Sequence, residues 1–380
     1  MMKFILSLSI IYMGLSVVLL LSSFLFNINI KFTKNQFAFF LVLSSLSLSF
    51  IAFGTDPFPE MDLYRYYTLL DKMRYGGLDY VLTRSPYRAT IVINMIFYLV
   101  SLINVYNLLP FISTLITTLC ISYVIYKERE RFNIASKVTA LYIFSLISST
   151  SLILILTGVR QHLALSIILV ALYRDLIEDK KKFSTLLIYT VSLLIHFQII
   201  PIIAIRMASF FLKGKIYKFR YILMFWAGFI PFFDFNYNNE YLYTAYNKLL
   251  GYSQYGFFDM RLYYATLMFF LVLCICIFLV SKEKEVLKEM NLENYIRFYN
   301  IISLFTFGSM PIHQLFVRLA GFNFYLSLPV LAVLFRAKDK YTRIVIILTF
   351  LFFVSGLSLY QISQATHIWR LTDRIFNSLY

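Results

Sequence analysis

An arginine, a glutamine and a histidine stand together at the mouth of a long apolar run. Gly158-Val159-Arg160-Gln161-His162-Leu163-Ala164 leads into a segment that ends at Tyr173-Arg174-Asp175. Charge at or inside a bilayer is costly and is kept where it meets a partner or a water-filled cavity. A guanidinium stays charged and grips phosphate oxygens with two parallel N–H bonds. Arg160 could therefore bind a phosphate-bearing ligand; the plainer alternative is a side chain anchoring a helix end among headgroups. Gly158 lets the backbone bend or come close to a ligand. A second set follows: His196 and Gln198 near the far end of the next apolar run, then His313, Gln314 and Arg318. Histidine titrates near neutrality when unperturbed, so His196 is a candidate general base, though a lone histidine on an apolar helix also reads as packing.

Those residues must be positioned by membrane helices. The chain has 380 residues, of which 60% are hydrophobic and 19% aromatic, with a mean hydropathy of +0.74. Soluble domains have an apolar share nearer ~45–50%. Repeated apolar runs of about 18–22 residues fit a bilayer, and roughly 12–13 such segments can be drawn. The fold class expected is an all-α polytopic membrane protein, one transmembrane domain over residues 1–380, with a polar cavity facing outward. The net charge of +16 does not call for nucleic acid, because the lysines cluster in short runs between apolar segments, as the positive-inside bias produces. Cys120, Cys274 and Cys276 all lie in apolar runs, so no disulfide framework or zinc site is implied. No phosphate-binding loop, dinucleotide fingerprint or metalloprotease pattern occurs, and no cofactor is expected.

Two long polar stretches interrupt the spans, at 54–88 and 236–262. The first carries Asp62 and Arg65, three apart and able to pair on a helix, then Tyr66. Its apolar positions predict a short interfacial helix from Asp62 to Tyr80, broken at Gly76-Gly77. Tyrosines and asparagines in both stretches offer stacking faces and amide hydrogen bonds that suit sugar rings, besides serving as an aromatic belt. Placing the lysine runs at 180–182, 213–220 and 338–340 inside puts Arg160, His196, the 236–262 loop and Arg318 outside. If 89–107 and 108–126 both cross, stretch 54–88 falls inside. If 89–105 instead lies along the surface or re-enters, the stretch joins the others outside, which is the reading adopted.

Three pieces in order resemble the EpsG/Wzy-type polysaccharide polymerases. They are Asp62-Leu63-Tyr64-Arg65-Tyr66-Tyr67 after two spans, Gly158-Val159-Arg160-Gln161-His162-Leu163-Ala164 opening a mid-chain span, and Leu194-Ile195-His196. Arg318-Leu319-Ala320-Gly321-Phe322-Asn323-Phe324-Tyr325 is similar to the arginine-aromatic pattern before a late span of that family. The family's Arg-x-x-Gly-x-Asp lead-in is incomplete, since Gly54-Thr55-Asp56 has no arginine before it. The resemblance implies a multi-pass enzyme of the bacterial cytoplasmic membrane that joins oligosaccharide repeat units carried on undecaprenyl pyrophosphate at its outer face. Capsular polysaccharide, exopolysaccharide or O-antigen-like chains would be the product; a repeat-unit flippase, a chain-length regulator and the lipid bilayer would be the partners.

Transfer of a sugar from pyrophosphate needs the leaving group neutralised and a base for the acceptor hydroxyl. His196, Asp62 and Arg160 are the expected catalytic residues, with His196 or Asp62 as the base. Arg318, Gln161, Arg65, Tyr66, His162 and His313 are expected to bind substrate. Paired acids suited to Mg²⁺ are missing from the sequence, so arginine is expected to take the metal's part. A flippase or transporter of lipid-linked oligosaccharide is the alternative; an acyltransferase would want a histidine-centred site, and an export scaffold would use its arginines only as anchors.

Overall fold

Apolar sequence with only 12 glycines and 8 prolines in 380 residues satisfies its backbone most cheaply as helix, because lipid offers no partner for a free N–H or C=O. The computed structural model describes residues 32–55, 57, 62–87, 89–132, 158–180, 182–212, 214–222 and 260–334, with Ile155 and scattered positions before residue 17. Every regular element among the described residues is helical. Outside them lie Asp56, Arg88, Lys181, Lys213, the loop from 236 to 259, the 338–340 run, the tail histidine His367, and most of the expected spans 4–26, 138–156, 221–235 and 344–360. The chain divides into two compact units, residues 1–199 with 361–380, and residues 200–360.

In the first unit, α1 (Lys34–Phe53) opens with a capping box in which Thr33 and Gln36 each accept the other's backbone N–H. It pairs antiparallel with α4 (Leu108–Phe132). Lys34 Nζ meets Glu130 Oε1 at 3.1 Å at one end, and Asn107 Nδ2 donates to the Phe53 carbonyl at 2.7 Å at the other. Next comes α5 (Val159–Leu176), running alongside α4 in the same direction, with the Tyr173 hydroxyl donating to Glu128 at 2.6 Å. The return helix α6 (Phe183–Ile195) is tied to it by Arg174–Ser184 at 2.8 Å and Tyr189–Asp175 at 3.1 Å. One end of this unit thus collects Lys34, Lys127, Arg129, Arg131 and Lys180, and Arg160 lies toward the opposite end.

Between α1 and α4 the chain stays near that opposite end. Helix α2 (Asp62–Asp79) is kinked at Gly77, where φ is +62° and ψ is −162°, a conformation glycine tolerates. Its neighbour Gly76 has Tyr80 so close that an added Cβ would sit 2.6 Å from the Tyr80 Cβ. A π-helical turn (Tyr80–Arg84) continues it, and α3 (Ile91–Ile103) follows. Asn94, fully buried, donates to the Val81 carbonyl at 2.6 Å and accepts from Ser85 at 2.7 Å. Arg74 reaches Asn104, Tyr106 reaches Asp71, and Tyr67 meets Asn107 at 3.1 Å. The predicted helix with a break at the glycine pair is therefore present.

Segment 89–107 is shorter than a span. The 13 residues of α3 rise about 20 Å, against the ~30 Å of a hydrocarbon core. Among the described residues, two helices are long and apolar enough to cross a membrane, Lys34–Phe53 and Leu108–Arg131. Shorter apolar helices lie at Ile91–Ile103, Phe183–Ile195, Ile199–Phe211, Thr266–Lys282 and Leu315–Val330. The expected single segment 183–200 is also different: α6 stops at Ile195 and α7 (Ile199–Phe211) begins after a turn.

The second unit contains α8 (Met260–Lys282), α9 (Lys284–Glu289), α10 (Glu293–Gly308), α11 (His313–Leu326) and α12 (Leu328–Leu334). Helix α11 packs on both α8 and α10. Aromatic side chains fill the first contact, with Phe316 against Tyr263 at 5.4 Å and Phe270 at 5.6 Å. The second is sealed by a polar knot around the fully buried Asn323.

Candidate functional site

Arg160 occupies the first turn of α5, and its guanidinium lies on aromatic rings. Its Cζ lies 3.6 Å from the centre of the Tyr87 ring and 5.8 Å from that of Tyr66. Its Nε donates to the Tyr66 hydroxyl at 3.3 Å. Matching α5 to α4 through Tyr173–Glu128 and Ser166–Cys120 sets Arg160 roughly 10 Å short of the end of α4, by helical rise. Arg160 thus lies below the level of that end, against Tyr66 of α2 and Tyr87 ahead of α3.

Three rings build the site. Tyr66 packs on Phe97 at 5.1 Å and on Tyr87 at 6.2 Å, and Tyr87 stands 6.1 Å from Phe97. Phe97 belongs to α3 and is fully buried, and α3 is held by Asn94 to the π-helical turn. The rings are thus set by backbone that Asn94, Ser85 and Gly77 shape. A guanidinium on an aromatic face gains about 0.5–2 kcal/mol, and stacking fixes its plane. Burial pushes the Tyr66 phenol up to about 12, with the Arg160 charge pulling partly back. Tyr66 therefore keeps its proton across the physiological range.

Asp62 lies one turn before Tyr66, close enough for its charge to act on the phenol. Its carboxylate pairs with Arg65, which is exposed. Gln161 is half-buried beside Arg160, whereas His162 is buried, at 8% exposure, within its unit. His196 is the residue whose setting differs most from expectation. Instead of lying on a helix it follows the end of α6 with extended backbone, φ −154° and ψ 127°. Its Nδ1 accepts the Gln198 backbone N–H at 3.0 Å. A backbone N–H can only donate, so the neutral ring carries its proton on Nε2 and presents a donor there.

His313 and Arg318 belong to the second unit. His313 begins α11 with its ring 4.5 Å from that of Tyr263, and Arg318 is half-buried one and a half turns later. The structure thus brings Arg160 and Tyr66 together with Asp62 one turn away, while His196 bonds the Gln198 N–H and His313, in the second unit, packs on Tyr263. Tyr87 and Phe97 escaped the sequence reading. The signal available was Ser85-Pro86-Tyr87 closing the polar stretch, but that an arginine about 70 positions later needs a ring is a tertiary fact.

The stretch 62–87 lies at the same end of its unit as Arg160, because Tyr66 and Tyr87 touch that side chain. Among the described residues, the arrangement can hold an anion against a fixed guanidinium with a carboxylate close by. Neither a curated protein nor a solved structure matches the chain. The pattern of the EpsG family matches residues 40–377, which include every residue of the Arg160 site as well as His196, His313 and Arg318, and the chain belongs to the EpsG family.

Proposed function

We propose that the chain is a multi-pass glycosyltransferase of the bacterial cytoplasmic membrane. It polymerises oligosaccharide repeat units carried on undecaprenyl pyrophosphate, at the outer face, into capsular, exopolysaccharide or O-antigen-like chains. Membership of the EpsG family supports the reaction class. The observation that carries the reading is the seat of Arg160: the guanidinium is stacked on Tyr87 and tied through Nε to Tyr66. An arginine serving as an anchor would extend to the headgroups and keep its rotamer freedom.

In the reaction, a hydroxyl of the incoming lipid-linked unit forms a bond to the anomeric carbon of the growing chain. The bond from that carbon to the pyrophosphate oxygen breaks, and the lipid pyrophosphate leaves with the electron pair. Arg160 holds the charge that develops on it. The hydroxyl proton passes to a base. Of the two candidates Asp62 is favoured, because it stands beside Tyr66, whereas the neutral His196 presents a donor at Nε2. Arg318, His313, Gln161, His162 and Arg65 keep substrate-binding roles on the resemblance alone, as do the flippase and chain-length regulator as partners.

The test is reconstitution of the purified chain in vesicles with lipid-linked repeat units extracted from cells lacking it. Longer lipid-linked chains support the polymerase. Movement across the bilayer without elongation makes it a flippase, and neither outcome leaves a scaffold. Sidedness is checked in a cysteine-free background, where an impermeant thiol reagent should label Tyr75→Cys, at a residue 84% exposed, from outside and spare Lys180→Cys.

A further inference from the structure

Arg160 gives away little of its hydrogen-bonding capacity. One N–H goes to Tyr66 and one face lies on Tyr87. Its two Nη groups have no partner among the described residues, and they form the edge that meets a phosphoryl group bidentately. Tyr66 is in the complementary position. Its oxygen accepts the Arg160 Nε–H, so its own proton must point to another acceptor, and none occurs among the described residues. A phenol that is 5% exposed and keeps its proton to about pH 12 is a permanent donor waiting beside a permanent cation.

We propose that the Tyr66 hydroxyl is a second phosphate donor, which closes with the Arg160 Nη groups on a pyrophosphate, and that Tyr87 is a positioning residue that fixes the guanidinium plane. The inference rests on the lipid pyrophosphate reading and names how that group is held. Nε is spent on Tyr66, so the ligand must approach the Nη side, where the phenol proton borders the same space. Tyr87 touches only the cation's face and therefore acts through Arg160. Phe97 keeps both tyrosine rings in place, at 5.1 Å and 6.1 Å.

Phenylalanine substitutions separate the two roles, because each keeps the ring. Inorganic pyrophosphate is titrated calorimetrically into the detergent-purified full chain, and elongation of extracted lipid-linked repeat units is followed in parallel. Tyr66→Phe should bind pyrophosphate about tenfold more weakly or worse, as loss of a charge-assisted hydrogen bond does, with an unchanged melting temperature. Tyr87→Phe, which retains the stacking face, should fall several-fold less than Tyr66→Phe, and Tyr87→Leu should fall further. If Tyr87 acts through Arg160, adding Tyr87→Leu to Arg160→Lys should cost almost nothing more. Pyrophosphate binding by Tyr66→Phe at wild-type strength, or a Tyr66→Phe protein that no longer folds, overturns the donor role. Fully additive losses in the double variant overturn the positioning role, and a wild-type chain that ignores pyrophosphate overturns both. Weakened pyrophosphate binding in Tyr66→Phe with no elongation by the wild type would keep this inference and end the polymerase reading. Elongation that Tyr66→Phe leaves intact would do the reverse.

Discussion

Two polar centres sit inside apolar helices of this chain, and they are built on opposite principles. Around Asn323 every group is spoken for. Its Nδ2 donates to Thr306 and to the Leu319 carbonyl, both at 2.8 Å, and its Oδ1 accepts from Ser303 at 3.0 Å. Its carbonyl accepts from the Tyr299 hydroxyl at 2.7 Å, and one turn away Tyr295 bonds the Leu326 carbonyl at 2.7 Å. Among the described residues, one N–H of Arg160 is bonded and its Nη edge meets no partner. A saturated polar cluster between helices is glue, because all it can still do is resist separation. An unsaturated one held by rings in a fixed plane is ready for a ligand. Both lie in stretches that resemble family motifs, so a shared motif alone does not tell the two uses apart; the count of unused donors does.

The largest effect should come from breaking the open centre while leaving the closed one alone. Arg160→Lys keeps the charge but loses the planar fork and the stack on Tyr87. Elongation should fall about 100-fold or more, the scale of removing a main donor to developing charge, while the melting temperature in detergent stays at the wild-type value. Wild-type elongation would return Arg160 to the role of an anchor.

Asn323→Ala is the converse. It strands Ser303, removes the donor to Thr306 and the Leu319 carbonyl, keeps the Tyr299 bond to the backbone, and leaves a gap, which should lower stability by about 2 kcal/mol, given the modest worth of single bonds between membrane helices. The loss should appear as an earlier midpoint in denaturant titration, with elongation per folded molecule unchanged. A fall in activity without a fall in stability would mean that the knot serves the reaction.

Alkaline pH sharpens the contrast further. The Tyr66 phenol ionises at about 12 when folded, and ordinarily at 10.0. Between those values the unfolded chain has lost a proton that the folded chain still holds. The stability tied to this group is complete below pH 10 and disappears as pH rises toward 12. Melting temperatures measured across that interval should fall less steeply in Tyr66→Phe than in the wild type. Parallel slopes would show that the Tyr66 phenol is not shifted.

How far the sequence announced these centres follows from what each is made of. The helical class, the break at the glycine pair and the polar weight of Arg160 are local, carried by apolar run length, by Gly77 and by charge next to Leu163-Ala164. The pairing of Asp62 with Arg65 is also local, three residues apart on one helix. The seat is not: Tyr66 and Tyr87 meet Arg160, and Phe97 meets both rings, because α3 is short and packs against α2. His196 shows the reverse failure. Apolar residues run on both sides of it, so nothing in the period marks the end of α6, and the turn becomes visible only through its own hydrogen bond to the Gln198 N–H.

That turn supplies the smallest and most diagnostic prediction. Gln198 is half-buried, and neither its Nε2 nor its Oε1 reaches solvent or finds a partner among the described residues. A sealed amide with no partner costs about 1–3 kcal/mol, so Gln198 resembles Arg160 in being unsaturated but differs in having nothing that fixes its direction. Methionine matches its length and asks for no hydrogen bond, and the bond to His196 Nδ1 comes from the backbone, which the change leaves in place. Gln198→Met should therefore raise stability by up to about 1 kcal/mol, read as a later midpoint in denaturant. If the midpoint instead moves earlier, the amide belongs with Asn323 among the groups that hold helices together. If it moves later while the KM for lipid-linked repeat units rises, the amide joins Arg160 as a group kept unsatisfied for substrate, and stability has been given up for binding at two places in the same unit.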